Sequence, residues 1–201
     1  MQNAFPHLCN DRTLPDNKVA LVEGDKCFTY REVNQRIDRV ATGLLAGKAD
    51  LHTDVLSRAM QGAIADLNEE RIAFFMPASL DYVTTMHGVW RAGGIAVPLN
   101  VASAVVELEH YLSSASVTRL IASPEYHESL ICLCESLTID LYCLDDVIAD
   151  EVGALPQIDP NRRAMMLFTS GTTNKPKGVV STHKTLHAQI TTLIDAWAWT
   201  Q

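Results

Sequence analysis

The sequence predicts an α/β fold, with a mainly parallel sheet flanked by helices. Two observations carry this reading. Short apolar runs such as IAFFM and TRLIAS, the length of buried strands, recur along the chain. Between them lie segments of about ten or more residues with apolar side chains at helical spacing, the alternation that builds parallel sheets. There is no fixed-period repeat and no low-complexity tract.

The elements follow in order. After a polar lead-in over residues 1–18, VALVEGDKCFTY alternates around Gly24-Asp25, a hairpin signal. Thr29 and Glu32 form a capping box that opens a helix with Val33, Ile37, Val40 and Leu44 on one face and Gly47 at its stop. Within the helical insertion 48–70, a second helical segment runs from about Thr53, with Leu56, Met60, Ala63 and Leu67 on one side. IAFFM is a buried strand closed by Pro77, and Ser79 caps a helix through Val83, Met86 and Trp90 that ends at Gly93-Gly94. IAVPL reads as an edge or exit strand, because Pro98 has no N–H for a ladder. A helix over Val105 to Leu112 leads to strand TRLIAS, and a helix containing ESLICLCESL leads to strand IDLYCL. The loop DEVGALPQIDPNRR then precedes AMMLF. The last helix carries Leu186, Ile190, Leu193, Ile194 and Trp197 as a stripe, read as core packing.

Composition narrows the function. The 201 residues are 47% hydrophobic and 20% charged, ordinary for a globular protein, with a formal net charge of −8. An acidic balance argues against nucleic-acid binding. No apolar run approaches the roughly 20 residues that span a bilayer. The start lacks a secretory core and the Arg-rich character of a mitochondrial presequence. The expectation is a soluble, cytoplasmic protein, with a mitochondrial location left open. The five cysteines are scattered, which fits reduced thiols. Cys132 and Cys134 lie about 200° apart around a helix, no second pair sits at metal-ligand spacing, and both are expected to be buried and unreactive.

The most informative stretch is LFTSGTTNKPKG, from Leu167 to Gly178. Hydroxyls, a glycine and lysines after a buried strand suggest a phosphate loop. The G-x-x-x-x-G-K-[ST] pattern of nucleotide triphosphatases does not fit. With Gly171 as its first glycine, Pro176 replaces the second and Gly178 replaces the metal-binding hydroxyl. That loop also opens a helix, whereas β-branched VVST follows here, predicting strand–loop–strand with a helix only from about His183.

The loop TSGTTNKPKG instead resembles the signature of the AMP-forming adenylating enzymes, [YF]-[ST]-[SG]-G-[ST]-[ST]-G-x-P-K-G, with Asn174 in place of one glycine. That superfamily comprises acyl- and aryl-CoA synthetases, luciferases and peptide-synthetase adenylation domains. Asparagine tolerates a left-handed backbone better than most side chains. FTYREVNQRIDRVATGLLAG and ERIAFFMPASLDYVTTMHGVWRAGGIAVPLN resemble the family's first hairpin, helix and AGG-x-x-x-P-L turn. The resemblance covers most of Val19 to Trp199 and implies that 19–201 is part of the large N-terminal domain of an AMP-dependent synthetase/ligase. KADLHTDVLSRAMQGAIADLNEE (48–70) reads as an insertion. STHKTL and ITTLIDAWAWT most resemble malonyl-CoA synthetase-like members.

The resemblance implies an acid–CoA ligase. A carboxylic acid attacks the α-phosphate of ATP to give an acyl-adenylate and pyrophosphate, and the thiol of CoA then displaces AMP. Within the loop, Ser170, Thr172 and Thr173 offer hydroxyls, and Gly171 admits close backbone approach. Asn174 and Gly178 complete the loop, Lys177 is the β/γ-phosphate contact, and Lys175 is a solvated partner at its tip. By resemblance, Thr169 helps hold Mg²⁺. His183 is read as a helix-start residue packing against the loop, and His87, His110, His127 and His187 show no site spacing. The family's aromatic-Gly-x-Thr-Glu stretch, ribose aspartate and C-terminal lysine do not occur in these residues. The expectation is therefore a fragment, inactive alone, whose truncation exposes part of the last helix's stripe. The alternative is a truncated, non-catalytic nucleotide- or partner-binding module.

Overall fold

A computed structural model describes residues 16–49, 65–169 and 175–198. β1 (Val19–Glu23) and β2 (Lys26–Thr29) form an antiparallel hairpin whose turn places Gly24 at φ 57°. The hairpin runs directly into α1 (Tyr30–Ala49). The capping box is formed: the Glu32 amide donates to Thr29 Oγ1 (3.3 Å), and the Thr29 amide donates to Glu32 Oε2 (2.7 Å). Gly47 does not stop the helix. It costs only about 1 kcal/mol relative to alanine inside a helix, and α1 continues to Ala49.

The main sheet contains β3 (Arg71–Phe75), β4 (Ile95–Leu99), β5 (Arg119–Ala122), β6 (Asp140–Cys143), β7 (Arg163–Thr169) and β8 (Lys177–Thr182). Its order is β6-β5-β3-β4-β7-β8; every neighbouring pair is parallel except β7 with β8. The connecting helices are α2 (Leu80–Arg91), α3 (Val105–Ala115), α4 (Pro124–Leu137), α5 (Leu144–Val147) and α6 (His183–Trp197). Ser79 caps α2, accepting from the Tyr82 amide at 3.2 Å. The one-turn helix α5 is too short to leave a periodic signal in sequence.

Alternate strand residues face opposite layers. Ile72 and Phe74 of β3 pack into a core with Val40 and Leu44 of α1, Trp90 of α2 and Leu186 of α6. Ala73 and Phe75 face a second core with Leu108 and Leu112 of α3 and Leu130 and Leu133 of α4. Helices thus cover both faces of the sheet.

Four further expectations change. IAVPL is an interior strand, lying between β3 and β7. Pro98 is accommodated because β4 matches β7 at the single register pair Ala96↔Met165, two residues before the proline. The Cys132 thiol is exposed while Cys134 is buried, since residues two apart cannot share a helix face. On α6 only His183 and Leu186 are buried, and Ile190, Ile194 and Trp197 are 39%, 40% and 62% exposed, so the core-packing reading fails over this stretch while the expected partial exposure of the stripe is seen. Of the helical insertion assigned to 48–70, residues 50–64, including Leu56, Met60 and Ala63, lie outside the described residues. Residues 65–70 are not helical but form a turn, with Asn68 and Glu69 at φ 51° and 60° and Leu67 buried in the core. Arg162 grips this turn through both carboxylate oxygens of Asp66, at 2.8 and 3.1 Å.

Candidate functional site

Thr169 ends β7 and Lys177 begins β8, and the two face each other in the antiparallel register Thr169↔Lys177. Because β7 also runs parallel to β4, Thr169 sits at the carboxyl end of the parallel strands. That end is where α/β sheets present their ligand sites. Both strands of the predicted strand–loop–strand are therefore present, with α6 starting at His183. A Walker loop would run into a helix at this point, so that reading is excluded.

Thr169, Lys175, Lys177 and Gly178 are exposed around this opening, and Pro176 is half-buried. Ser170, Gly171, Thr172, Thr173 and Asn174 lie outside the described residues. Gly178 pairs with Phe168, and a Cβ there would lie 3.0 Å from Met166 Sδ and 3.2 Å from its Cγ. The glycine thus lets the start of β8 lie against the Met166 side chain beneath it.

The loop has a neighbour that local spacing does not reveal. His110, on α3, contacts the carbonyl oxygen of Pro176 through Nε2 at 2.9 Å. Its Nδ1 lies 3.2 Å from Ser114 Oγ. Tyr111 packs on Phe168 with ring centroids 4.6 Å apart, and His110 approaches the same ring at 6.3 Å. Together α3 and the loop stem border a cleft of about 480 Å³ lined by Glu107, His110, Tyr111, Lys175 and Pro176 among others. His110 and Pro176 are 66 residues apart in sequence, so no motif within either segment links them.

His183 is 2% exposed and meets Trp90 edge-on at 6.0 Å. Its amide donates to the Arg162 carbonyl at 3.1 Å, anchoring the first residue of α6. It opens the helix as expected, and its ring packs in the core against Trp90; residues 170–174 of the loop it was expected to meet lie outside the described residues. Among the described residues no group of three or more His, Cys, Asp or Glu side chains is placed to hold a metal ion. No helix of the described residues is long and apolar enough to cross a membrane.

With this geometry in place, comparisons with known proteins define the relationship. A family model described as AMP-binding enzyme matches residues 10–201. The mitochondrial malonate–CoA ligase of Homo sapiens is 32% identical over 192 residues, covering 92% of this chain and 31% of that protein. Apo MatB from Rhodopseudomonas palustris superposes with a TM-score of 0.71 at 22% identity, covering 92% of this chain and 36% of that one. The Bacillus subtilis o-succinylbenzoate CoA synthetase, solved with its acyl-adenylate intermediate, gives 0.73 at 20% identity, over 91% of this chain and 43% of that one. At such identities the two structures establish the shared fold. The chain spans about a third of the length of the malonate–CoA ligases it matches, 31% for the human protein.

Proposed function

This chain belongs to the AMP-binding enzyme family, and from that premise we propose that it forms the N-terminal part of an ATP-dependent acid–CoA ligase of the malonate-activating kind. The observation that carries the proposal is the pairing of Thr169 with Lys177 at the carboxyl edge of the sheet. An exposed cation and an exposed hydroxyl face each other where a polyphosphate can lie across them.

The reaction couples two displacements. A carboxylate oxygen attacks the α-phosphorus of ATP, the bond to the bridging oxygen breaks, and pyrophosphate leaves. The mixed anhydride is then attacked at its carbonyl carbon by the CoA thiol, which loses its proton as AMP departs, leaving a thioester. In the first step negative charge builds on the leaving pyrophosphate, and a positioned cation stabilises it. Lys177 takes that role, with three donors on a compact charge. Ser170, Thr172, Thr173 and the backbone around Gly171 and Gly178 would donate to the remaining phosphate oxygens, with Asn174 shaping the turn. Lys175 remains at the solvated tip. Thr169 would give one hard oxygen to Mg²⁺, a cation that takes most of its shell from phosphate and water when bound beside a nucleotide. Bound there, the ion would offset polyphosphate charge.

Malonate is the first acid to test, because the human relative is a malonate–CoA ligase. The present chain is expected to bind ATP weakly and to form no acyl-adenylate, since adenine, ribose and acid contacts would come from residues outside it. ³¹P NMR titration of ATP with the chain, with and without Mg²⁺, tests the phosphate site. Lys177→Ala is expected to weaken binding by about 10- to 150-fold, the equivalent of one charge-assisted hydrogen bond at roughly 1.5–3 kcal/mol. Equal binding by the variant and the wild type would remove Lys177 from the site. Hydroxylamine trapping with malonate and longer acids, in a chain extended to the length of the relatives, tests the ligase activity itself.

A further inference from the structure

We propose that His110 is a positioning residue for Lys177, holding the peptide unit that joins Pro176 to Lys177. The proposal rests on the phosphate-binding reading of Lys177 for its functional consequence, but its structural content stands separately. The carbonyl oxygen of Pro176 can only accept, so the His110 nitrogen 2.9 Å from it must carry the proton. In the neutral ring this leaves Nδ1 as the acceptor, and the Ser114 hydroxyl donates to it at 3.2 Å. The Pro176 carbonyl, which can only accept, thereby selects the Nε2–H tautomer, and the Ser114 hydroxyl, able to donate or accept, complements it.

The held oxygen belongs to the same planar unit as the Lys177 amide. Fixing it fixes the direction of that N–H and the point from which the lysine side chain departs. The unit is restrained from both sides. Upstream, the ring of Pro176 sets its own φ near −65°. Downstream, Lys177 enters the register with Thr169. The imidazole is kept in place by Phe168, whose ring also stacks against Tyr111. One histidine on α3 therefore joins the helix layer to the loop stem, and Lys177 is presented from a braced peptide. A lysine on a long flexible stem gains phosphate affinity from such bracing, because less freedom is lost on binding.

The test compares His110→Phe with His110→Gln in this same chain. Phenylalanine keeps a ring for Phe168 and Tyr111 but has no donor. Glutamine loses the ring but can place an amide nitrogen close to the position of Nε2. Hydrogen exchange at the Lys177 amide, followed by NMR, is expected to quicken by about 3- to 10-fold in His110→Phe, the effect of one ordinary hydrogen bond. His110→Gln is expected to return it toward the wild-type rate. Inorganic pyrophosphate, titrated by ³¹P NMR, is expected to bind His110→Phe several-fold more weakly than the wild type. Wild-type exchange in His110→Phe, or exchange in His110→Gln as fast as in His110→Phe, overturns the anchor. Faster exchange with unchanged pyrophosphate affinity overturns its link to Lys177. If the wild-type chain binds no pyrophosphate while exchange behaves as expected, the phosphate reading of Lys177 fails and the anchored peptide remains.

Discussion

Helix α1 carries two glycines, Gly43 and Gly47, four residues apart on one face, and the fold predicts opposite outcomes for replacing them with alanine. A Cβ on Gly43 would stand 1.7 Å from the Val147 carbonyl oxygen and 2.8 Å from its carbon. Ordinary carbon–oxygen contacts begin near about 3.3 Å, so α1 and the segment after α5 must separate by roughly 1.5 Å. Three hydrogen bonds hold that segment to α1. Arg39 Nε donates to the Ala149 carbonyl at 2.6 Å, and the Ala149 amide donates to the Arg39 carbonyl at 3.2 Å. The Gly153 amide donates to Thr42 Oγ1 at 3.1 Å. At about 1 kcal/mol each their loss costs about 3 kcal/mol, and the helix preference of alanine returns about 1 kcal/mol. Gly43→Ala should therefore destabilise by about 2 kcal/mol. At Gly47 the nearest atom is Arg119 Nη1 at 3.9 Å, an ordinary contact, so Gly47→Ala should stabilise by about 0.5–1 kcal/mol. Urea unfolding monitored by far-UV circular dichroism gives both values, and amide exchange at Ala149 and Gly153 reports the detached segment. A neutral or stabilising Gly43→Ala would refute the close approach of α1 to Val147 and the estimate built on it.

Thiol labelling at pH 8 should modify Cys132 and Cys27 promptly and Cys134 only on unfolding, because burial pushes the Cys134 thiol up to about 11 while the other two are exposed; mass spectrometry of the labelled chain decides, and early modification of Cys134 would contradict its burial. The hydrogen bond from Arg163 holds the Glu69 carboxyl below its ordinary value, so its contribution is fully present above about pH 4.3 and is lost as pH falls toward the depressed value. Wild type and Glu69→Gln should differ by no more than about 1 kcal/mol at pH 6 and converge as pH falls through the depressed value, and a gap that widens on acidification would reverse the assignment. The exposed side chains Val179, Val180, Ile190, Ile194 and Trp197 favour association of the chain. Light scattering should rise with concentration and fall in Ile194→Lys, whereas a monodisperse wild-type monomer at every concentration would argue against an adhesive surface.

Local chemistry made much of this protein legible in one dimension. The Thr29–Glu32 capping box, the helical spacing of Val33 to Leu44, the apolar run of β3 and the β-branched VVST all depend on neighbours a few residues away, and each formed as read. The strand–loop–strand around Lys177 belongs to that class. Tertiary structure decided the rest. The place of Pro98 in an interior strand depends on how far β7 follows β4, a matter of register between segments far apart in sequence. The stripe on α6 has the periodicity of a core helix, yet periodicity specifies a face and not the element that covers it. Here the sheet reaches Leu186 and leaves Ile190 to Trp197 largely exposed. Cys132 and Cys134 were separated by which side of α4 met the sheet. His110 shows the division most clearly, since its ring meets the Pro176 carbonyl only because α3 packs beside the end of β7, a contact set by the packing of layers and invisible to any pattern of neighbouring residues.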